Sequence, residues 1–215
     1  MFVERWMTQN PVTIAPDDGI SYVAMQMNRR KFRHFPVAEL KRGGAKLVGI
    51  VSKYDIARGF PSNLNPFSVE VFEETVPRPV STVMTRNVIT TTPDCPIEEA
   101  TRILRTHRIG ALPVLRENRL VGIITESDLF DAFVNVTAAK SGGVRMIVES
   151  SVHESTVPAV VLLSQQHHVD LLSMISFREN RVTGRDMSIF RFGGRLPPGF
   201  IQEIAKLGFR IVSVA

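Results

Sequence analysis

The chain has 215 residues, a length compatible with one large domain or two small ones. Hydrophobic residues make up 44% of it, enough for a sizeable core, so the composition excludes a wholly disordered protein. The formal net charge is +5, but the basic residues are spread along the chain, with one short cluster at residues 29–33. This distribution disfavours nucleic-acid binding and leaves local anion sites open.

No apolar run reaches the roughly 18–20 residues that span a bilayer, and the first residues lack the apolar core of a signal peptide. We therefore expect a soluble, cytoplasmic protein with no membrane partner. The single cysteine, Cys95, excludes an intrachain disulfide and a zinc site made of several cysteines. We interpret it as a small residue at the entrance of a helix.

An internal repeat organises the first two thirds of the chain. Residues 7–37 align with residues 84–114 without a gap, at a constant offset of 77, and residues 47–56 align with 120–129 at an offset of 73. The difference of four residues falls in a turn, where changes of length are tolerated. The sequence therefore predicts two copies of one structural unit.

The first half of each repeat predicts a short strand followed by a helix. β-prone runs at residues 12–14 and 88–90 are followed by prolines. Apolar residues then recur at helical spacing, at Ile20, Val23, Ala24 and Met27 and at Ile97, Ala100 and Leu104. The aspartates after the prolines, Asp17 and Asp94, are placed to cap these helices.

The second half of each repeat predicts two strands joined by a polar turn and a closing helix. The strands span residues 35–40 and 46–52 in the first repeat and 111–115 and 120–125 in the second. The closing helices begin at Asp55 and Asp128. The order within each repeat is β-α-β-β-α.

Three motifs occur in both repeats and carry a resemblance. They are Met-Thr-x-Asn near each start, Pro-Val at 36–37 and 113–114, and Gly-Ile-Val-Ser-x-x-Asp or Gly-Ile-Ile-Thr-x-x-Asp at each end. Together they resemble the cystathionine-β-synthase (CBS) motif, and two such motifs in tandem resemble a Bateman module. The resemblance covers residues 1–137.

The resemblance implies a regulatory adenosyl ligand (AMP, ADP, ATP, NAD or S-adenosylmethionine), with no required cofactor and no metal. A carboxylate can accept hydrogen bonds from both hydroxyls of a ribose, and a hydroxyl three residues earlier can donate or accept nearby. Asp55 with Ser52, and Asp128 with Thr125, fit this role. The alternative is that each aspartate caps a helix, and the two roles can coexist.

In CBS proteins the adenine slot lies between the first strand and the segment before Pro-Val. Carried over by position, the resemblance implies one set of ligand contacts from each repeat, with core packing as the alternative for the apolar members. The candidates of the first repeat are Thr13, Ala15, Ile20, Arg33, His34, Phe35, Ser52, Lys53, Tyr54 and Asp55. Those of the second are Thr90, Thr92, Ile97, Arg108, Ile109, Gly110, Ala111, Thr125, Ser127 and Asp128.

Cations suited to phosphate are distributed unequally. The first repeat has Arg29, Arg30, Arg33 and Lys53, whereas the second has Arg105, His107 and Arg108, with Glu126 in the place of Lys53. Solvated helix faces are the alternative for these residues. We expect unequal sites, the first preferring the more anionic ligand, with His34 as a flanking group and not a catalytic base.

The last seventy residues predict a second module after a linker at 138–144. The predicted order of this module is β-α-β-β-α-β. It begins with a strand at 145–152, a helix at 157–168 and strands at 171–178 and 187–192. A helix opened by Pro197-Pro198 and ended by Gly208 follows, and the last strand is at 209–214. This is the ferredoxin-like order.

The module resembles an ACT domain. Ala159 stands where such domains often carry glycine, which puts the binding of an amino acid in doubt. His153, His167 and His168 are interpreted as solvent-facing side chains and not as a metal site.

The full order, α+β CBS–CBS–ACT, resembles the AcuB-type acetoin-utilisation proteins. We expect CBS motifs at residues 1–60 and 81–137, a connector at 61–80 and an ACT-like domain at 145–215. The leading hypothesis is a regulatory sensor that forms a homodimer and acts on a protein target. We expect no enzymatic activity, because no Gly-rich phosphate loop or nucleophile–base pair is present in the sequence. A structural dimerisation module with unoccupied sites is the alternative.

Overall fold

A computed structural model describes residues 1–42, 44–61, 65–67, 78–151, 156–178 and 185–215. The chain divides into two compact units, Met1–Phe130 and Asp131–Ala215. Within the described ranges, no helix is both long enough and apolar enough to cross a bilayer.

The first unit contains both repeats, and most of its elements fall where the sequence predicts them. A short 3-10 helix, Val3–Arg5 or Val80–Thr82, precedes each repeat. The elements of the first repeat are β1 (Thr8–Gln9), α1 (Ile20–Arg30), β2 (His34–Lys41), β3 (Gly44–Ser52) and α2 (Lys53–Gly59). Those of the second are α3 (Ile97–His107), β4 (Ala111–Arg116), β5 (Arg119–Thr125) and α4 (Glu126–Val136), which continues into the second unit.

The strands predicted at residues 12–14 and 88–90 shorten to single parallel bridges, Ile14 with Val37 and Thr91 with Val114. Ile14 donates to the carbonyl of Pro36 and accepts from the amide of Ala38. To continue each parallel ladder, the amide two residues after the bridge would have to donate. That residue is Pro16 in the first repeat and Pro93 in the second, and proline has no N–H. The prediction of full strands is therefore wrong at these positions.

The segments that lead into the two repeats, residues 1–9 and 78–86, are exchanged. β1 of the first repeat pairs with β5 of the second, Thr8 opposite Ile123. In the symmetrical position, Thr85 of the second repeat pairs with Ile50 in β3 of the first. Each lead segment therefore docks on the other repeat, and the first unit is built from two interlocked halves.

The same exchange determines how α1 and α3 begin. Their N-cap residues, Gly19 and Pro96, make no side-chain capping bond, so the predicted caps at Asp17 and Asp94 are wrong. Instead, the amide of Ile20 donates to the carbonyl of Arg78 at 2.8 Å, and the amide of Ile97 donates to that of Met1 at 3.0 Å. Backbone from the opposite lead segment therefore satisfies one of the free amides at the start of each helix.

The core of the first repeat confirms the helical spacing predicted for α1. Ile20, Val23, Ala24 and Met27 are fully buried against the inner faces of β2 and β3. Two residues of the second lead segment, Val80 and Met84, belong to the same cluster. The exchange thus contributes apolar burial as well as backbone hydrogen bonds.

The second unit has the predicted β-α-β-β-α-β order, with a four-stranded antiparallel sheet in the order β7-β8-β6-β9. This is the ferredoxin-like arrangement. Its own core includes Met146, Phe190, Phe192 and Phe200. The elements are β6 (Val144–Ser151), α5 (Thr156–Gln166), β7 (Leu171–Arg178), β8 (Arg185–Phe192), α6 (Phe200–Lys206) and β9 (Arg210–Val214).

Two details of the second unit differ from the sequence analysis. The last helix begins at Phe200, after Pro197-Pro198, because Gly199 takes a left-handed backbone with φ of +87° as its N-cap. His167 does not face solvent freely: its Nε2 lies 3.0 Å from Glu203 Oε2. Val152, His153 and the turn at 179–184 lie outside the described residues, and membership of the ACT family stays a prediction.

Candidate functional site

The aspartates of the closing motifs sit inside the first turn of a helix. α2 begins at Lys53 with Ser52 as its N-cap, so Asp55 is the third helical residue of a capping box. Asp55 Oδ2 accepts from the Ser52 amide at 2.8 Å and from its hydroxyl at 2.5 Å. Asp128 Oδ2 accepts from the Thr125 amide at 2.7 Å and from its hydroxyl at 2.8 Å. One oxygen of each aspartate, Oδ2, therefore takes part in capping the helix.

The second oxygen of each carboxylate accepts no hydrogen bond from the part of the chain that the structure describes. Among the residues that the structure describes, no hydrogen bond reaches Oδ1 of Asp55 or of Asp128. An ionised carboxylate can accept through both of its oxygens. Capping and ligand contact therefore do not compete for the same atom.

Each aspartate opens onto a pocket. Site A, a cavity of about 310 Å³, contains Asp128. Its lining is Thr8, Asn10, Pro11, Val12, Lys31, Phe32, Arg33, His34, Pro36, Ile123, Thr125, Ser127 and Asp128.

Site B, a cavity of about 330 Å³, contains Asp55 and occupies the position related to Site A by the repeat. Its lining is His34, Ile50, Ser52, Tyr54, Asp55, Thr85, Asn87, Val88, Ile89, Arg108, Ile109, Gly110 and Ala111.

Each site is lined by residues of both repeats. The sequence analysis grouped each aspartate with slot residues of its own repeat, whereas Asp128 faces residues 31–36 of the first repeat and Asp55 faces residues 108–111 of the second. The physical reason is that β3 of the first repeat packs against β5 of the second, and the exchanged lead segment adds Thr8 beside β5. With the pockets as grouped here, the two aspartates lie in different pockets.

Several candidate contacts line neither pocket: Thr13, Ala15, Ile20, Phe35, Lys53, Thr90, Thr92 and Ile97. Ile20 and Phe35 are fully buried and Ile97 is 8% exposed. Because these side chains offer almost no surface to a ligand, they pack in the core, which is the alternative given for them. Thr13, Ala15, Thr90 and Thr92 flank the two bridge residues, Ile14 and Thr91.

The cations also differ from expectation. The ammonium of Lys53 lies 4.9 Å from the ring centre of Phe67 and outside both pockets. Arg29 and Arg30 are exposed on α1, and Arg30 donates to Gln26. Arg105 lines a separate shallow cavity with Arg108 and Glu126, and His107 is exposed at the end of α3. The predicted anion contacts that remain in the pockets are Arg33 and Arg108.

The sequence analysis missed the residues that enter from the lead segments. Thr8 and Asn10 line Site A, and Thr85 and Asn87 line Site B. The signal was the Met-Thr-x-Asn motif, which occurs in both repeats. The motif has a direct role in both pockets.

Lys31 is a further missed residue, and it is the repeat equivalent of Arg108. Both end a helix in the left-handed conformation, with φ of +61° and +54°, and each lines its pocket. A residue with a β-carbon is strained there. Strained backbone is often retained where a side chain serves a site, which fits a cation directed at a bound anion.

Arg33 and Gly110 occupy equivalent positions but differ completely. Arg33 Nη2 donates to Ser127 Oγ at 3.0 Å, across Site A. At Gly110, a β-carbon would lie only 2.8 Å from Cε1 of His34. The imidazole of His34 fills the space that a side chain at position 110 would need, and it borders both sites.

The charge of His34 is set by its surroundings. Burial lowers the pKa of its imidazole below the ordinary value of 6.5, and the neighbouring Arg33 lowers it further, while Asp55 and Glu126 oppose the shift. The ring is therefore neutral at pH 7 and offers one donor and one acceptor nitrogen. It can hydrogen-bond to a ligand without adding charge to either pocket.

Comparison with known proteins identifies the family. Residues 3–62 and 80–135, together more than half of the chain, match the CBS domain. The chain therefore belongs to the CBS domain family, and its first unit is a tandem pair of these domains.

Solved structures agree with this assignment. A candidate acetoin utilization protein (AcuB) from Vibrio cholerae is 28% identical with a TM-score of 0.54, over 65% of this chain and 95% of that one. The CBS domain pair of protein MJ0100, in complex with 5′-methylthioadenosine and S-adenosyl-L-methionine, is 27% identical with a TM-score of 0.51, over 62% and 95%.

Curated relatives share the same region. Protein MJ1225 of Methanocaldococcus jannaschii is 33% identical over 130 residues, which are 58% of this chain and 46% of that protein. The chain thus spans about half the length of that relative. Enzymes also contain such a region: the match to inosine-5′-monophosphate dehydrogenase of Staphylococcus aureus is 27% identical and spans 69% of this chain and 28% of the enzyme.

Proposed function

We propose that the protein is a regulatory sensor that binds an adenine nucleotide or a related adenosyl ligand in Sites A and B. AMP, ADP, ATP, NAD and S-adenosylmethionine are the candidate ligands. The observation that supports this proposal is that Oδ1 of Asp55 and of Asp128 accepts no hydrogen bond from a described residue, while each aspartate lines a pocket built by both repeats.

In the proposed binding mode, Oδ1 of the aspartate accepts from the ribose hydroxyls. The base lies among the apolar lining, between Ile109 and Val88 in Site B and between Phe32 and Val12 in Site A. The left-handed cation, Lys31 or Arg108, lies at the phosphate. The complex of the MJ0100 domain pair with two adenosyl compounds supports this ligand class.

The construction of each site from both repeats suggests how ligand binding is transmitted. A ligand in either site touches both repeats, so it can bias their relative arrangement through its different affinity for two arrangements. We propose that a homodimer or a protein target responds, in the cytoplasm, without catalysis by this chain. The exposed rings of Phe130 and Phe133 on α4, at 71% and 63%, offer apolar surface for such a contact.

The proposal is tested by titration calorimetry with AMP, ATP and S-adenosylmethionine on the parent protein and three variants. Asp55→Ala should remove binding at Site B, Asp128→Ala at Site A, and the double variant should bind none of the three. Asp94→Ala is the matched control, because this exposed aspartate lines neither pocket.

Thermal melts of the same proteins supply the check on folding. A ligand at about 100 times its Kd stabilises the parent by about 2.7 kcal/mol, and the double variant should show no such shift. Parent-like binding by the double variant would refute the ribose assignment. A parent that responds to no adenosyl compound would refute the sensor function and favour a dimerisation module with empty sites.

A further inference from the structure

We propose that the two sites take different chemical classes of adenosyl ligand, which deepens the proposed function and rests on it. Site A takes adenosine that carries an anionic phosphate. Site B takes adenosine whose 5′ substituent has no net negative charge, such as a thioether or a sulfonium amino acid. Arg33 and His34 are the residues that determine this difference.

Site A presents two cations that are not neutralised. Lys31 and Arg33 line it, and within the described residues neither lies within 4.0 Å of a carboxylate oxygen. The Arg33 guanidinium is held by Ser127, the residue before Asp128. This hydrogen bond holds the guanidinium on the side of Site A that contains Asp128, the aspartate proposed to bind the ribose. We expect a 5′-phosphate on that ribose to lie within its reach.

Site B lacks the equivalent guanidinium. Gly110 replaces Arg33 in the repeat, and the neutral ring of His34 occupies the vacated space. The carboxylate of Glu126 lies 3.7 Å from the position of a β-carbon on Gly110. Of the described residues that line Site B, Arg108 is the only lysine or arginine. Within the Site B lining a phosphate would meet Arg108 together with the Asp55 carboxylate, whereas Site A offers it both Lys31 and Arg33.

The closing motifs show a second difference at equivalent positions. Ser127 at Site A offers a hydroxyl, whereas Tyr54 at Site B presents a 68% exposed aromatic ring to the pocket edge. The Tyr54 ring lies under the guanidinium of Arg58, 5.6 Å from the ring centre, whereas the Ser127 hydroxyl accepts from Arg33. The replacement of Arg33 by Gly110 is therefore the difference that makes Site B favour the less anionic ligand.

The experiment isolates each site and compares two probes of known charge. Asp55→Ala leaves Site A, Asp128→Ala leaves Site B, and each is titrated calorimetrically with AMP and with 5′-methylthioadenosine. In the Site A protein, AMP should bind at least about tenfold more tightly, since hydrogen bonds to charged groups are the stronger ones. In the Site B protein the order should reverse. Raised salt should weaken only the binding of AMP to Site A.

Transplanting the determinants tests the residues themselves. Arg33→Gly in the Site A protein should abolish the preference for AMP. In the Site B protein, Gly110→Arg together with His34→Ala should create one, whereas Gly110→Arg alone meets the imidazole. Arg29→Gln is the matched control, an exposed arginine on α1 that lines neither site.

The outcomes separate the two proposals. The same ratio of AMP to 5′-methylthioadenosine affinity in both single-site proteins would overturn the division of ligand classes and leave adenosyl binding standing. A parent protein that binds neither probe would overturn the proposed function as well. If one single-site protein does not fold, Arg33→Gly in the parent decides: it should lower the affinity for AMP at one of two sites and leave that for 5′-methylthioadenosine unchanged.

Discussion

Lys31 and Arg108 show how a single residue can combine backbone strain with a function. Each ends a helix in the left-handed region and places a cation in a pocket. A left-handed residue with a β-carbon costs about 1–2 kcal/mol relative to glycine. A helix end without a functional demand would be expected to carry glycine.

Lys31→Gly should therefore stabilise the protein by about 1 kcal/mol while it weakens AMP binding at Site A. Urea denaturation measures the first effect and calorimetry the second. Lys31→Ala is the matched control, because it removes the charge and keeps the strained β-carbon. Equal unfolding free energies for the two variants would show that no strain is relieved at this position.

His34 makes stability depend on pH in a direction that its surroundings fix. Its folded pKa lies below the ordinary 6.5, so between these two values the unfolded chain binds more protons than the folded one. Stability therefore rises with pH through this window and is lost as the pH falls below about 6.5.

We expect His34→Gln to flatten that dependence, because glutamine keeps a polar side chain but does not titrate. Melting temperatures recorded from about pH 7.5 down to about pH 5.5 cover the titration range of histidine. The parent should lose more stability than the variant across this range. Parallel curves would show that His34 is not held in its neutral form by the fold.

At the scale of elements, local patterns predict most of the first unit. Helical spacing identified the buried face of α1, and β2 to β5 lie within two residues of their predicted bounds. The exchange of the lead segments could not be predicted in this way. Two similar repeats present the same local pattern whether each segment docks on its own repeat or on the other, and only tertiary packing distinguishes the two arrangements.

The site shows the same division between local and tertiary information. The Ser52–Asp55 and Thr125–Asp128 pairs are local, and the repeated closing motif with its resemblance to the CBS motif pointed to them. Their partners across the pockets come from the other repeat. The grouping into sites therefore depends on how the two repeats pack on each other, which transfer by position within one repeat does not give.

Gly49 on β3 lies directly under the second lead segment. A β-carbon at Gly49 would lie 2.5 Å from the Met84 sulfur and 3.1 Å from the Thr85 carbonyl oxygen, both in that segment. Met84 is only 8% exposed and has little room to move. Gly49→Ala should therefore destabilise the protein by about 1–3 kcal/mol in chemical denaturation. Gly19→Ala is the control, because no atom of the described residues lies within 4 Å of the position of its β-carbon. An equal, small effect of both substitutions would mean that Met84 does not pack on β3.

At the scale of the molecule, the described structure has separate cores. One centres on α1 and takes in Val80 and Met84 from the second lead segment. Another lies between the sheet of the second unit and its helices, with Phe190 and Phe192 stacked at 6.2 Å. Because the repeats interlock through backbone pairing and shared apolar burial, we expect them to unfold together. The second unit carries its own apolar burial and should respond separately to a change in its core.

Phe190→Ala tests this organisation, because Phe190 is fully buried in the second core. Truncating a buried phenylalanine costs about 3–5 kcal/mol, so amide hydrogen exchange should rise across β6 to β9. Protection of α1 and β2, and the affinity of both sites for their ligands, should stay at parent values. The matched change in the other core, Met27→Ala, should raise exchange in both repeats and weaken binding, since each site contains residues of both. Loss of protection in α1 on Phe190→Ala would show instead that the two cores unfold as one.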